Sequence, residues 1–76
     1  MDFNYFLSTN GLTVEDAKRE YAELSKHENE LKTVSEEVIS QMARMVLVED
    51  EKYEKMQQYN RLQLYKAFKE EGAWQD

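Results

Sequence analysis

Apolar residues recur every three or four positions along most of this 76-residue chain, and that spacing belongs to helices rather than strands. Val14, Ala17, Tyr21, Leu24 and Leu31 fall on one helical stripe, which predicts helix A over residues 13–32. Thr13 stands where an N-cap belongs, with Glu15 and Asp16 in the first turn, where negative charge suits the helix dipole. Thr33-Val34-Ser35-Glu36 then matches a capping box, so a second helix, B, is expected over 34–49. Its stripe runs through Val38, Ile39, Met42, Met45, Val46, Leu47 and Val48 and widens towards the end, which predicts the most buried element of the fold.

Helix C, over 50–71, carries two stripes. Tyr53, Met56, Asn60, Leu64, Ala67 and Phe68 form one; Tyr59, Leu62 and Tyr65 form the other. Neither Gly nor Pro forces a break at Glu49-Asp50-Glu51, so helix B either stops there or runs into helix C. Gly72 is placed as a C′ residue, with Trp74 on a 72–76 tail. Residues 1–12 make a short aromatic lead (Phe3, Tyr5, Phe6, Leu7) that closes on an Asn10-Gly11 turn. Leu24, Leu31, Val38 and Met45 lie seven apart, but the paired positions Tyr21, Glu28, Ser35 and Met42 include two polar residues. A bundle therefore fits better than a two-stranded coiled coil. The fold expected is all-α: one small domain of two or three helices with a short N-terminal segment, complete alone or as a homo-oligomer.

Composition supports this. The chain has no Cys, no Pro and only two Gly, which leaves helices uninterrupted and excludes disulfides and thiolate metal sites. A hydrophobic fraction of 41% is enough for a core, although 76 residues is close to the lower limit for folding alone. The starting Met suggests a whole gene product. No basic leader precedes the short apolar run in MDFNYFLSTNG, and no stretch approaches a membrane span, so a soluble cytoplasmic protein is the expectation. The net charge of −6 is unevenly placed, being −7 over residues 1–51 and +1 over 52–76.

Few residues suggest chemistry. His27 is the one histidine, and it has neither the second histidine of a zincin nor the Glu-x-x-His spacing of a di-iron bundle. No metal or other cofactor is expected. The serines lack a glycine-rich elbow, and there is no phosphate-cradling loop or EF-hand loop, so catalysis is not expected either. Helix C interleaves Lys52, Lys55, Arg61, Lys66 and Lys69 with tyrosines and amides that suit base edges, but the acidic remainder of the chain disfavours nucleic acid. The converse reading is mimicry of nucleic acid by an acidic face of Glu15, Asp16, Glu20, Glu23, Glu30, Glu36 and Glu37.

The stretch from Thr13 to Leu24, TVEDAKREYAEL, resembles the second helix of J-domains, the DnaJ-type co-chaperone module; Tyr5-Phe6 and the 55–65 segment KMQQYNRLQLY are similar to its flanking elements. The resemblance implies a helical hairpin and contact with a DnaK-type chaperone through His-Pro-Asp. Here Asn29-Glu30-Leu31 holds that motif's place, which implies a hairpin without the stimulating activity.

The function expected is non-catalytic: a small adaptor, inhibitor or assembly factor that binds a protein partner, a role filled by many small acidic proteins, virus-encoded ones included. A helix apolar on two sides needs cover on both. The N-terminal aromatic lead can cover part of the second stripe, and the rest is left for another chain, so Tyr59, Leu62 and Tyr65, with Phe3, Tyr5, Phe6 and Trp74, are the expected partner interface.

Overall fold

The computed structural model describes residues 2–74; residues 75 and 76 of the expected tail lie outside the described residues. The architecture is all-α, as the periodicity predicts, but with four helices rather than two or three: α1 (Phe3–Asn10), α2 (Val14–Ser25), α3 (Glu28–Ala43) and α4 (Asp50–Glu70).

The aromatic lead is itself a helix. Asp2 caps it by accepting from the Asn4 amide at 3.3 Å, and Gly11 ends it in the left-handed region at φ 64°. Its lone turn-and-a-half of apolar spacing is too short to register as periodic, yet three of its eight residues, Phe3, Phe6 and Leu7, are buried. At the start of α2 the Thr13 hydroxyl accepts from the Asp16 amide while the Asp16 carboxylate accepts from the Thr13 amide, both at 3.1 Å. This reciprocal capping box is the real one.

The break between the first long helices falls at Lys26–His27, six residues before the position the Thr33 box predicts. Two short backbone bonds, His27 N–H to Leu24 O and Lys26 N–H to Glu23 O, tighten the chain there. The helix then runs straight through Thr33–Glu36, and the Thr33 hydroxyl donates back to the Asn29 carbonyl at 3.0 Å instead of capping. Tertiary packing explains the difference. Leu31, Ser35 and Val38 form one buried stripe on α3, and a helix start at residue 34 would split it.

Two buried regions share α4. At one end Phe3, Phe6, Leu7, Ala17, Tyr65, Phe68 and Trp74 form an aromatic cluster, with Leu12, Tyr21, Leu24 and Leu64 packed around it. Its rings meet edge-on or tilted, among them Phe6–Tyr65 at 5.5 Å, Phe3–Phe68 at 5.0 Å and Phe3–Trp74 at 5.0 Å. Towards the other end of α4, Leu31, Ser35 and Val38 of α3 are buried, as are Met56 and Leu62 of α4. Helix B was expected to be the most buried element, yet α3 stops at Ala43, well short of residue 49, and most of the apolar run that follows stands in solvent.

Candidate interaction surface at the α3–α4 turn

Of the seven residues expected at an interface, the structure places five inside this chain's own core. Leu62 and Tyr65 are 0% exposed, and Phe3, Phe6 and Trp74 are buried as well. Within the second stripe of α4, Tyr65 has an intramolecular partner in α1, whose Phe6 lies against it and against Phe68 of the first stripe. Tyr59 is half-buried, and Tyr5, on the outer face of α1, is exposed.

The acidic residues do not act as one free face. Four basic side chains of α4 each hold a carboxylate from the helices before it: Lys52 with Glu37 (2.7 Å), Lys55 with Glu30 (2.8 Å), Arg61 with Glu20, and Lys66 with Glu28. Asp16 pairs with Arg19 and Glu23 with Lys26 along α2. Glu15 and Glu36 have no ion pair among the described residues. The hydrogen bond donated by Lys55 holds the Glu30 carboxyl below its ordinary range, and the bonds that Lys52 and Lys55 donate to Glu37 and Glu30 hold their ammonium groups above theirs. The unequal charge of the two chain halves is thus largely cross-helix pairing that fixes the bundle's register, and four of the five bases that suited a phosphate backbone already face carboxylates.

One polar cluster reaches into the aromatic core. The Tyr65 hydroxyl and the Arg61 guanidinium both donate to the same Glu20 oxygen, and Arg61 stacks over the Phe6 ring with its guanidinium carbon 5.2 Å from the centroid. Burial and the adjacent Glu20 carboxylate push the Tyr65 phenol up to about 12. An open hollow of about 470 Å³ lies beside it along α2, lined by Asp16, Arg19, Glu20, Glu23 and Leu24. His27 is exposed at the α2–α3 turn, and among the described residues no three His, Asp or Glu side chains converge as metal ligands. Asn29, Glu30 and Leu31 lie in the first turn of α3, where Leu31 is core and Glu30 is committed to Lys55.

The surface that remains is the far end of the α3–α4 hairpin. Met45 is 93% exposed and Leu47 is 96% exposed, with Ile39, Met42, Val46 and Tyr53 about half exposed around them. Around this tip Glu36, Glu49, Asp50 and Glu51 are exposed, against Arg44 as the one cation in the 44–51 segment. The α3 terminus is a Schellman motif. Val46 N–H bonds Gln41 O (2.9 Å) and Met45 N–H bonds Met42 O (3.0 Å), and Met45 occupies the left-handed C′ seat at φ 60°. Beside it, the Gln41 side-chain oxygen is buried with no hydrogen-bond partner.

The sequence carries the signal for this surface in the widening of the helix B stripe, which predicted burial inside the chain. From Met42 to Val48 the apolar residues outnumber what one face of a helix can hold, and a segment apolar all round needs cover on every side. Compared with known protein families, characterised proteins and solved structures, the chain matches none.

Proposed function

We propose that this protein is a non-catalytic interaction module that grips a protein partner with the apolar tip of its α3–α4 hairpin. The observation that carries this reading is the exposure of Ile39, Met42, Met45, Val46 and Leu47 at one end of a molecule whose Phe3, Phe6, Tyr65, Phe68 and Trp74 are consumed in its core. Small folded chains rarely leave large aliphatic side chains clustered in water unless something covers them. Methionine suits the role, because its unbranched thioether adapts to the shape of a partner pocket. The acidic rim of Glu36, Glu49, Asp50 and Glu51 gives the partner its chemistry: an apolar pocket bordered by Lys or Arg. The cross-helix pairing of the acidic residues weighs against nucleic-acid mimicry, and the α4 bases so occupied weigh against nucleic-acid binding.

The test places a photo-crosslinking amino acid at position 47 and, separately, at exposed Gln63 on α4, in cells that naturally contain the protein. Discrete adducts with another protein from position 47, absent from position 63 and abolished by Met45→Asp, are expected. Equal labelling from both positions, or adducts that survive Met45→Asp, would remove the tip as the contact surface.

A further inference from the structure

We infer that the α3–α4 turn is a hinge through which two copies of this chain exchange α4, with α3 and α4 joining into one continuous helix. The inference stands apart from capture of a foreign partner and follows from how the chain ends its helices.

Three helices end in the same Schellman geometry. Leu12 N–H bonds Leu7 O after α1, Ala73 N–H bonds Phe68 O after α4, and Val46 N–H bonds Gln41 O after α3. The left-handed seat is filled by Gly11 in the first and Gly72 in the second, at φ 64° and 77°, and these are the chain's two glycines. In the third it is filled by Met45 at φ 60°. An L-residue with a side chain is disfavoured there, because its Cβ crowds the carbonyl oxygen. Two helix stops are therefore locked by glycine and the third is held open against a local preference for helix.

Nothing else in the turn resists straightening. Residues 44–49 contain no Gly or Pro, and the N-cap residue of α4, Glu49, makes no side-chain cap. The helical phase also carries through. Val38 and Met56, buried on α3 and α4, lie eighteen positions apart, which is about five full turns of an α-helix. In a continuous helix they share one face with Met42, Met45 and Tyr53, and Glu49 is the polar position that this face carries between Met45 and Tyr53. Two such helices running antiparallel across the hinge bury Met42 and Met45 against the second copy. The α3–α4 pairs Glu37–Lys52, Glu30–Lys55 and Glu28–Lys66 re-form between chains with the same partners. A strained short hinge with a self-complementary interface is the condition under which exchange costs least.

The experiment refolds the protein from denaturant at high concentration as a mixture of ¹⁴N- and ¹⁵N-labelled chains. Sedimentation gives the mass, and zero-length carbodiimide coupling followed by mass spectrometry reads which Glu37 is joined to which Lys52. A dimer in which the coupled Glu37–Lys52 peptide is isotopically mixed is expected. Met45→Gly, which relaxes the closed turn in both chains, raises the dimer dissociation constant by roughly thirtyfold. Leu47→Asp leaves it unchanged, because Leu47 falls on the opposite face of the continuous helix. A chain that stays monomeric, or a dimer whose Glu37–Lys52 coupling is entirely intrachain, overturns exchange; loss of the dimer in Leu47→Asp does the same by assigning association to the closed tip.

Discussion

Replacing Tyr65 by Phe isolates the polar contacts that its hydroxyl makes at the aromatic cluster. The ring remains, with its neighbours Phe6, Tyr21 and Trp74 at 5.5, 6.3 and 5.8 Å, while the hydrogen bond donated to Glu20 and the one accepted from Arg61 Nε at 3.3 Å are lost. Hydrogen bonds to charged groups contribute about 1.5–3 kcal/mol. Arg61 still holds the Glu20 carboxylate, so the lower end applies and a loss of about 1.5 kcal/mol is expected at pH 7. The same phenol has a second signature. A pKa of about 12 in the fold against an ordinary 10 means that folding favours the neutral phenol. Because the folded value is the higher one, this stabilisation is complete below pH 10 and is lost as pH rises through 10 to 12. Urea unfolding followed by the fluorescence of Trp74, the chain's one tryptophan, measures both effects on one sample series. Wild type should weaken steeply above pH 10, and Tyr65→Phe should start lower and lack this part of the decline. Equal stability of the two at pH 7, or an equal fall with pH above 10, would refute the account of the cluster.

Leu62→Ala empties a fully buried site on α4 and should cost about 2–5 kcal/mol, enough to leave a chain this small largely unfolded by circular dichroism at 25 °C. Thr13→Ala removes a working capping box and should cost about 1 kcal/mol in chemical denaturation, whereas Thr33→Ala, at an exposed mid-helix threonine, should change stability by less than about 0.5 kcal/mol. Wild-type protein should leave the steady-state ATPase of a DnaK-type chaperone unchanged, since the chain has no proline and therefore no His-Pro-Asp sequence; clear acceleration would overturn that expectation.

The helical class and the span of α4 were legible in the sequence, because a 21-residue periodic segment ended by Gly72 leaves few alternatives. The α2–α3 break was not. Thr33 and Glu36 have the residues of a capping box, but the Leu31–Ser35–Val38 stripe gains more from staying one helix against α4 than the box gains by starting a new one. The real break at Lys26–His27 has no glycine, proline or side-chain cap to mark it. The cover of Tyr65 was legible only as one of two alternatives, since it comes from α1, an eight-residue helix too short to show a period. Once α1 covers Tyr65, the unpaired apolar surface moves to the other end of the molecule. There the sequence showed an excess of aliphatic residues but not which of them faced water.

Phe3 and Trp74 lie ring against ring at 5.0 Å although almost the whole chain separates them. In topological terms the protein is a loop fastened by a non-covalent clasp, and every folding event must close about seventy residues to form it. A peptide linker from position 74 back to position 3 would make that closure permanent. In the chain-entropy account this removes freedom from the unfolded state amounting to about 4 kcal/mol for a loop of this length. The same closure would let the chain be opened elsewhere, at residues 44–49, giving a permuted protein in which α4 precedes α1 and α3 and α4 are no longer joined.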